Sequence, residues 1–166
     1  MATVTRGRAR VARTISGNSP QVLTLPEAAT QTFKKGELVY LAGGYVTECS
    51  ANPALILGMA DEDAHNGATN GLYNVAIVIA NMDTIFEFHK TGSTGAGSAV
   101  TAVTDVGKEF AIYLDTTNSR VVAYDGEGAN SRLVCVDHSN FDAVGDIYGR
   151  LLCMVLGANR QLFCTS

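Results

Sequence analysis

Apolar residues occur along the chain in short runs that end at Gly, Asn or Asp, and most of these runs are rich in Val, Ile, Leu, Tyr and Phe. Such runs, bounded by turn residues, are typical of β-strands. A helical period is suggested only over 139–149, where Asp142 and Gly145 interrupt it, so helix is expected only as a short turn there or over 53–58. The pattern predicts an all-β fold, an antiparallel β-barrel or sandwich of short strands.

Two pairs of runs are predicted to form hairpins. ELVYL and YVTEC are joined by Gly43 and Gly44, which can adopt the positive φ that a tight turn requires. FAIYLD and RVVAYDG are joined by TTNS at 116–119, whose side chains can bond their own backbone. Each pair should therefore form neighbouring antiparallel strands.

Alternation of side chains predicts the core. In the run 72–80, every second residue is bulky and apolar, and the run beginning at Phe110 has the same pattern. Alternate residues of a strand point to the same face of the sheet, so these side chains should be buried together. The predicted core residues are Tyr73, Val75, Ile77, Ile79, Phe110, Ile112 and Leu114.

The run GRLLCMVLG is apolar at both alternating sets of positions, so it should be covered on both faces. Either a second sheet of the same chain or a neighbouring subunit could provide the second cover. The second alternative makes this strand a candidate for contact between copies of the chain. The candidate contact residues are Leu151, Leu152, Met154 and Leu156.

The 166 residues fit a single domain, and charge is distributed unevenly along them. Residues 1–35 hold six cations and one anion, which gives this segment a net charge of +5. Because the whole chain has a net charge of −4, the remaining residues have a net charge of −9. We therefore divide the chain into an extended basic N-terminal arm, 1–19, and a β-barrel domain, 20–166. Removing 1–19 should leave the β-barrel domain folded. The cations of the basic segment are Arg6, Arg8, Arg10, Arg13, Lys34 and Lys35.

Positive charge alone does not distinguish an acidic protein surface from nucleic acid as the partner of this segment. The rest of the chain argues against specific nucleic-acid binding, because its net charge is negative and Phe86 and Phe88 are flanked by Glu87 and His89 rather than by basic residues. The sequence predicts no transmembrane segment and no secretory signal, so we expect a soluble protein made in the cytoplasm.

The sequence contains no recognisable catalytic motif. His65, His89 and His138 each have a carboxylate nearby, but none accompanies a nucleophile motif, and His89 with Glu87 is interpreted as a surface pair. The small-residue stretch 91–99 is predicted to be a mobile surface loop. We therefore expect no catalytic residue and a protein that is not an enzyme.

No cofactor or metal site is predicted either. Asp61, Glu62 and Asp63 are interpreted as a solvated turn, and Cys135 with His138 lacks the second pair that a zinc site needs. We expect buried thiols that act as small hydrophobic groups at Cys49, Cys135, Cys153 and Cys164.

Three segments in order, TFKKGELVYLAGGYVTEC, ALILGMADEDAHNG and VAIVIANMDTIFEF, resemble the β-barrel decoration, or cement, proteins of tailed bacteriophage heads. DVGKEFAIYLD, RVVAYDG and GDIYGRLLCMVLGANRQLF are similar to the C-terminal half of small phage virion proteins of this kind. The resemblance extends over about residues 20–163 and consists of strand and turn patterns.

The resemblance implies a non-enzymatic virion protein that binds the outer surface of the major capsid protein shell, commonly as a trimer, and stabilises the shell. It implies that the N-terminal segment clasps the shell, with the six cations of the basic segment as candidate contacts. Two alternatives remain: another virion component, such as a head–tail connector, tail-tube or fibre-base protein, or a small hydrolase whose site gathers distant residues.

Overall fold

The computed structural model describes residues 1–92, 97–125 and 130–162, and it confirms the all-β prediction. Two 3₁₀ helices, Val103–Asp105 and Gly157–Asn159, accompany the strands in the described part. Residues 93–96 of the predicted mobile loop, and Cys164, lie outside the described residues. The strands are β1 Arg10–Thr14, β2 Val22–Pro26, β3 Leu38–Ala42, β4 Tyr45–Glu48, β5 Gly58–Ala60, β6 Asn74–Ile79, β7 Thr84–Thr91, β8 Glu109–Asp115, β9 Arg120–Tyr124, β10 Leu133–His138 and β11 Arg150–Val155.

Five strands of the C-terminal half close into a barrel. Their order is β7-β11-β10-β8-β9, and β9 pairs in parallel with the end of β7 through Lys90↔Ala123 and Thr91↔Tyr124. The N-terminal strand β1 adds to this sheet from outside, because it pairs antiparallel with the first half of β7. Strand β7 therefore has β11 on one side and is shared along its other side by β1 and β9.

The remaining five strands form an antiparallel sheet with the order β2-β6-β5-β3-β4. Its two outer strands approach each other, since Glu27 and Val46 form a bridge and the Ala28 N–H donates to the Val46 carbonyl at 3.0 Å. The sheet thus curls around an interior of its own. We refer to it as the N-terminal sheet and to the closed unit as the C-terminal barrel.

Both predicted hairpins are confirmed. In the first, Ala42 pairs with Tyr45, and Gly43 and Gly44 have φ values of 58° and 90°. In the second, Asp115 pairs with Arg120, and its carboxylate accepts hydrogen bonds from the backbone and side chain of Asn118. The turn residues named from the sequence therefore determine where these strands reverse.

Each unit has its own apolar core, and most of the predicted core residues lie in one of them. Val75, Ile77 and Ile79 are buried in the N-terminal sheet, whereas Phe110 and Ile112 are buried in the barrel with Leu114 packed against them. The prediction for Tyr73 was wrong: β6 begins one residue later, and Tyr73 is 44% exposed. Its ring stacks on His65 at a centroid distance of 4.9 Å.

The barrel also buries an ion pair. Lys90 follows Phe86 and Phe88 at alternate positions of β7, and its Nζ lies 2.6 Å from Asp105 Oδ1, with both residues almost fully buried. The other carboxylate oxygen of Asp105 accepts the Ala102 N–H at 2.8 Å. Both charges are therefore paired, as a buried ion requires.

Strand β11 lies in the middle of its sheet, between β7 and β10. Leu151 faces the barrel interior and is fully buried, and Leu152 on the opposite face is 6% exposed. The structure therefore corrects the candidate contact set, because other parts of the same chain already cover these two leucines. Met154 and Leu156 are half-buried, and they alone among the four candidates keep exposed surface.

The basic N-terminal arm is extended but lies along the barrel. Ala9 and Thr14 are buried, β1 is hydrogen-bonded to β7, and Thr3 bridges Ile147. The structure therefore changes the expectation for truncation. Removing 1–19 would expose one edge of β7 and the side chains beneath β1, so a folded remainder is no longer expected.

Candidate interaction surface

A bulge in β1 determines which arginines lie together. Arg10 pairs with Glu87, Val11 with Phe86 and Arg13 with Ile85, so Ala12 is an extra residue without a partner in register. In a regular strand, Arg10 and Arg13 would point to opposite faces, whereas one extra residue turns the side chains that follow. Both arginines consequently face outward from the barrel.

Arg10 is held by a buried carboxylate. Its Nε and Nη2 donate to the two oxygens of Glu87 at 2.8 and 3.1 Å, and Glu87 is only 5% exposed. The same carboxylate accepts the hydroxyl of Ser139 at 2.8 Å and lies 3.6 Å from Nη1 of Arg150. Glu87 was interpreted from the sequence as part of a surface pair. It instead lies beneath β1 and connects β1, β11 and the segment that follows β10.

The ring of Phe141 contacts two guanidinium groups. Arg10 and Arg150 stand 4.8 and 5.1 Å from its centroid, and Asp142 fixes Arg150 through bonds of 2.6 and 2.7 Å. The hydrogen bond to Arg150 lowers the pKa of Asp142, so the pair is charged at neutral pH. Phe141 is nevertheless 71% exposed, so most of its ring faces solvent.

Apolar side chains continue this surface past the other end of β1. Ile15, 63% exposed, donates its N–H to the Asp83 carbonyl at 2.8 Å, and Met82, 65% exposed, directly precedes Asp83 in the chain. Alternation after the buried Thr14 places Ile15 on the same side as Arg13. We call the surface formed by Arg10, Arg13, Ile15, Met82 and Phe141 the β1 face.

His89 fastens the residues that precede β1. Its Nε2 accepts the Gly7 N–H at 2.9 Å and its Nδ1 lies 2.7 Å from the Tyr148 carbonyl, so the ring is neutral with its proton on Nδ1. Burial lowers the pKa of His89, which favours this neutral form. His89 and Glu87 share an outward face of β7, as their spacing predicts, but both are covered rather than on the surface.

The other predicted cations also have partners within the chain. Arg8 and Lys34 lie 3.9 and 3.3 Å from Asp63, and Lys35 lies 2.8 Å from Asp61. The backbone N–H of Lys35 is the main cause of a lowered pKa at Asp63. In these half-exposed pairs, cations of the basic segment lie against carboxylates of the same chain.

Two further arginines of the segment are placed differently. The guanidinium of Arg6 lies 4.4 Å from the centroid of the Tyr148 ring, and Arg13 Nη2 lies 3.0 Å from Asp137 Oδ2. The side chain of Arg13 is 51% exposed. Arg10 and Arg13 are therefore tied to the chain but still offer guanidinium surface to a partner.

The structure gives each histidine a different surrounding. The backbone N–H and the ring Nδ1 of His65 both hydrogen-bond to the buried carboxylate of Glu27. Nε2 of His138 lies 2.9 Å from the Ala102 carbonyl. Across the described ranges, no group of three or more His, Cys, Asp or Glu side chains could hold a metal ion. The same residues include no helix long and apolar enough to cross a membrane.

Sequence reasoning found Arg10 and Arg13 but missed Ile15, Met82 and Phe141. Phe141 was attributed to an interrupted helical pattern, but residues 141–146 form turns in the structure. An isolated aromatic residue among polar neighbours, in SNFD, is a weak sign of exposure. Its contacts with guanidinium groups could not be found, because they involve Arg150 and Arg10 from distant positions.

Comparisons of the chain with protein-family models, with curated proteins and with solved structures find no match.

Proposed function

We propose that this protein is a non-enzymatic structural component of a bacteriophage virion that binds the outer surface of the major capsid protein shell and stabilises it. The observation that carries the proposal is the β1 face. Aromatic residues, Met and Arg are the side chains enriched where proteins meet, and this surface combines all three. The resemblance of the strand and turn segments to decoration proteins supports the capsid as the partner.

The geometry also supports the β1 face as the place of contact. The two guanidinium groups that contact Phe141 are held by Glu87 and Asp142, so they lose little conformational freedom when a partner covers them. Exposed apolar side chains at Ile15 and Met82 supply area that a partner can bury. The partner's complementary surface is an acidic and apolar patch.

Self-association belongs to the same proposal. A trimer at local three-fold positions of the shell follows from the resemblance alone. Sedimentation of the purified protein at micromolar concentration measures this state directly. Rings or polymers formed by the free protein would instead favour a tail-tube or connector role.

Co-sedimentation with capsid shells that lack this protein tests the proposal. The wild-type protein should sediment with the shells, and Phe141→Ala should weaken binding by about tenfold or more, as expected for a central aromatic contact. Leu72→Ala is the matched control, because Leu72 is also exposed but lies beside the N-terminal sheet. Raising salt should weaken binding only in part, because apolar contacts are not screened.

The outcomes separate the function from the surface. If the wild-type protein does not bind the shells, the capsid function is wrong. If Phe141→Ala and Leu72→Ala bind like the wild type, the protein binds through another surface. A gel shift with duplex DNA at physiological salt checks the nucleic-acid alternative, for which no band shift is expected.

A further inference from the structure

Two cysteines face each other across neighbouring strands of the barrel. Cys135 of β10 and Cys153 of β11 are direct partners in register. The Cys135 N–H donates to the Lys108 carbonyl and its carbonyl accepts the Gly107 N–H, so both groups point toward β8 and away from β11. Cys135 and Cys153 therefore form a non-hydrogen-bonded pair, the closer type of antiparallel pair, with Cα atoms about 4.5 Å apart.

A hydrogen bond between the residue after β11 and the residue before β10 confirms that Cys135 and Cys153 are a non-hydrogen-bonded pair. Its donor is the Leu156 N–H. It donates to the Arg132 carbonyl at 2.8 Å, which makes Leu133 and Val155 a non-hydrogen-bonded pair as well. The next such pair in the alternation is Cys135 with Cys153. Both assignments follow from separate hydrogen bonds.

The position suits a covalent bond. A disulfide needs Cα atoms about 4.4–6.8 Å apart and Cβ atoms on facing positions, and a non-hydrogen-bonded pair meets both conditions. The bulge at Val136 directly follows this pair. Both side chains point into the barrel and are free thiols with 1% and 0% exposure. Cys49 is also buried and free, but no other cysteine of the described residues is its partner in register. The Cys135 thiol also donates to the Asp137 carbonyl at 3.2 Å.

The two thiols differ in reactivity. The hydrogen bond with Cys153 lowers the pKa of Cys135, whereas burial raises the pKa of Cys153 well above its usual range. Thiolate is the form that attacks an oxidant. Because both thiols are buried, a peroxide reaches them only when the barrel opens locally. We expect Cys135 to react first and Cys153 to resolve the product.

We infer that Cys135 and Cys153 are an oxidative modification site, which forms a cross-strand disulfide when the folded protein meets a peroxide. The Cys135 sulfur attacks one peroxide oxygen, the O–O bond breaks, and water leaves after protonation, which gives a sulfenic acid. The Cys153 sulfur then attacks this sulfur, the S–S bond forms, and the hydroxyl leaves as a second water. Two thiols and one hydrogen peroxide become one disulfide and two waters.

The bond would tie β10 to β11 across the loop that carries Phe141. It depends only on the cysteine pair, so it holds whether or not the capsid function is correct. Crosslinking of a closed barrel also restricts the unfolded chain.

Tryptic mapping tests this directly, because the chain places its four cysteines on four different peptides. Cleavage after Arg132, Arg150 and Arg160 gives peptides 133–150 and 151–160, each with one of the two thiols. Cys49 lies in the peptide 36–90, and Cys164 lies in 161–166. The folded protein is treated with hydrogen peroxide, denatured in iodoacetamide and digested without reductant.

The expected product is peptide 133–150 linked to peptide 151–160, which separates on reduction. Recovery of both peptides alkylated, or links that involve Cys49 or Cys164 instead, would overturn the inference. Protein oxidised in urea provides the comparison, since its pairing should be mixed.

Variants then identify the order of the two steps. Cys49→Ala should retain the link and serves as the matched control, whereas Cys153→Ala should lose it and leave a sulfenic acid at Cys135 that dimedone traps. Dimedone capture at position 153 in Cys135→Ala, with none at position 135 in Cys153→Ala, would reverse the assigned order. If a variant does not fold, the wild-type peptide map still decides whether the disulfide forms.

Discussion

The two five-stranded units bury their strands differently. In β6 of the N-terminal sheet, the inward residues Val75, Ile77 and Ile79 are aliphatic and need no polar partner. In β7 of the C-terminal barrel, all eight residues are buried, including Glu87, His89 and Lys90. The first unit is stabilised by apolar packing alone at this strand, whereas the second requires charged partners on both faces.

The difference shows what the N-terminal segment does for the fold. The outward face of β7 carries Glu87 and His89, and β1 with the residues before it supplies Arg10 and the Gly7 N–H to them. A buried polar group costs free energy unless it is paired. The basic segment is therefore part of the barrel structure as well as part of the β1 face.

The largest effect is expected for a charge placed in the aliphatic unit. Ile77→Asp buries a carboxylate with no partner, at a cost of several kcal/mol against a total stability of about 5–15 kcal/mol. The variant should show no cooperative thermal transition by circular dichroism. Ile15→Asp, at an exposed position, should melt close to the wild type. An unchanged melting curve for Ile77→Asp would show that the position is exposed.

A smaller but still large effect is expected for half of the buried ion pair. Lys90→Met leaves the Asp105 carboxyl group buried without its ion-pair partner, which should lower the free energy of unfolding by about 3–5 kcal/mol in urea denaturation. Lys90→Met with Asp105→Asn should recover most of this loss, because the amide oxygen can still accept the Ala102 N–H. Equal losses for the single and double variants would mean that the charges do not interact.

The two arginines of β1 should differ although they share a strand. Arg10→Ala removes a partner from the buried Glu87 and should cost about 1–3 kcal/mol. Arg13→Ala breaks a pair between half-exposed groups and should cost about 0.5 kcal/mol or less. Urea denaturation of both variants at one salt concentration measures the difference. Equal costs would contradict the assignment of Glu87 as the anchor of β1.

The smallest effect concerns a single hydrogen bond of His89. The pKa of His89 is lowered in the folded state from its ordinary value of 6.5. Below pH 6.5, His89 therefore binds a proton more readily in the unfolded chain than in the folded protein. The stability from neutral His89 is therefore present above pH 6.5 and is lost as the pH falls through and below that value. Protonated His89 cannot accept the Gly7 N–H, so the segment before β1 should loosen first.

Hydrogen exchange at the Gly7 amide, measured between pH 7 and 5, tests this, with His89→Gln as the variant whose side chain does not titrate. Glu37 and Glu48 have raised pKa values and act in the opposite direction, so the wild type must be compared with the variant at each pH. Identical profiles for the two proteins would exclude His89 as the titrating group.

Local patterns explain why much of the fold could be predicted. Gly43 and Gly44 have the positive φ that their hairpin needs, and the alternation in β6 and β8 marks their buried sides. Tyr73 was misassigned because alternation gives the face of a residue but not the point at which its strand begins. These features depend on neighbours in sequence, so they can be read without the structure.

The candidate site could be predicted only in part. The arginines of β1 are visible as a basic cluster, but the bulge at Ala12 that aligns Arg10 with Arg13 depends on pairing with β7. Likewise, covering Leu151 and Leu152 from within the chain depends on the sheet order, which no local pattern specifies. The sequence therefore could not decide whether the second face of β11 is covered by the same chain or by a second copy.

By itself, the sequence determined the all-β class, the two hairpins, most of the core positions and the uneven distribution of charge, because each depends on side-chain alternation, turn chemistry or composition. Tertiary structure alone decided that the barrel closes between β7 and β9, that the basic segment lies on its own chain's carboxylates, and that Cys135 faces Cys153. The physical reason is that these contacts join residues far apart in sequence, and their partners are selected by the packing of whole sheets rather than by neighbouring residues.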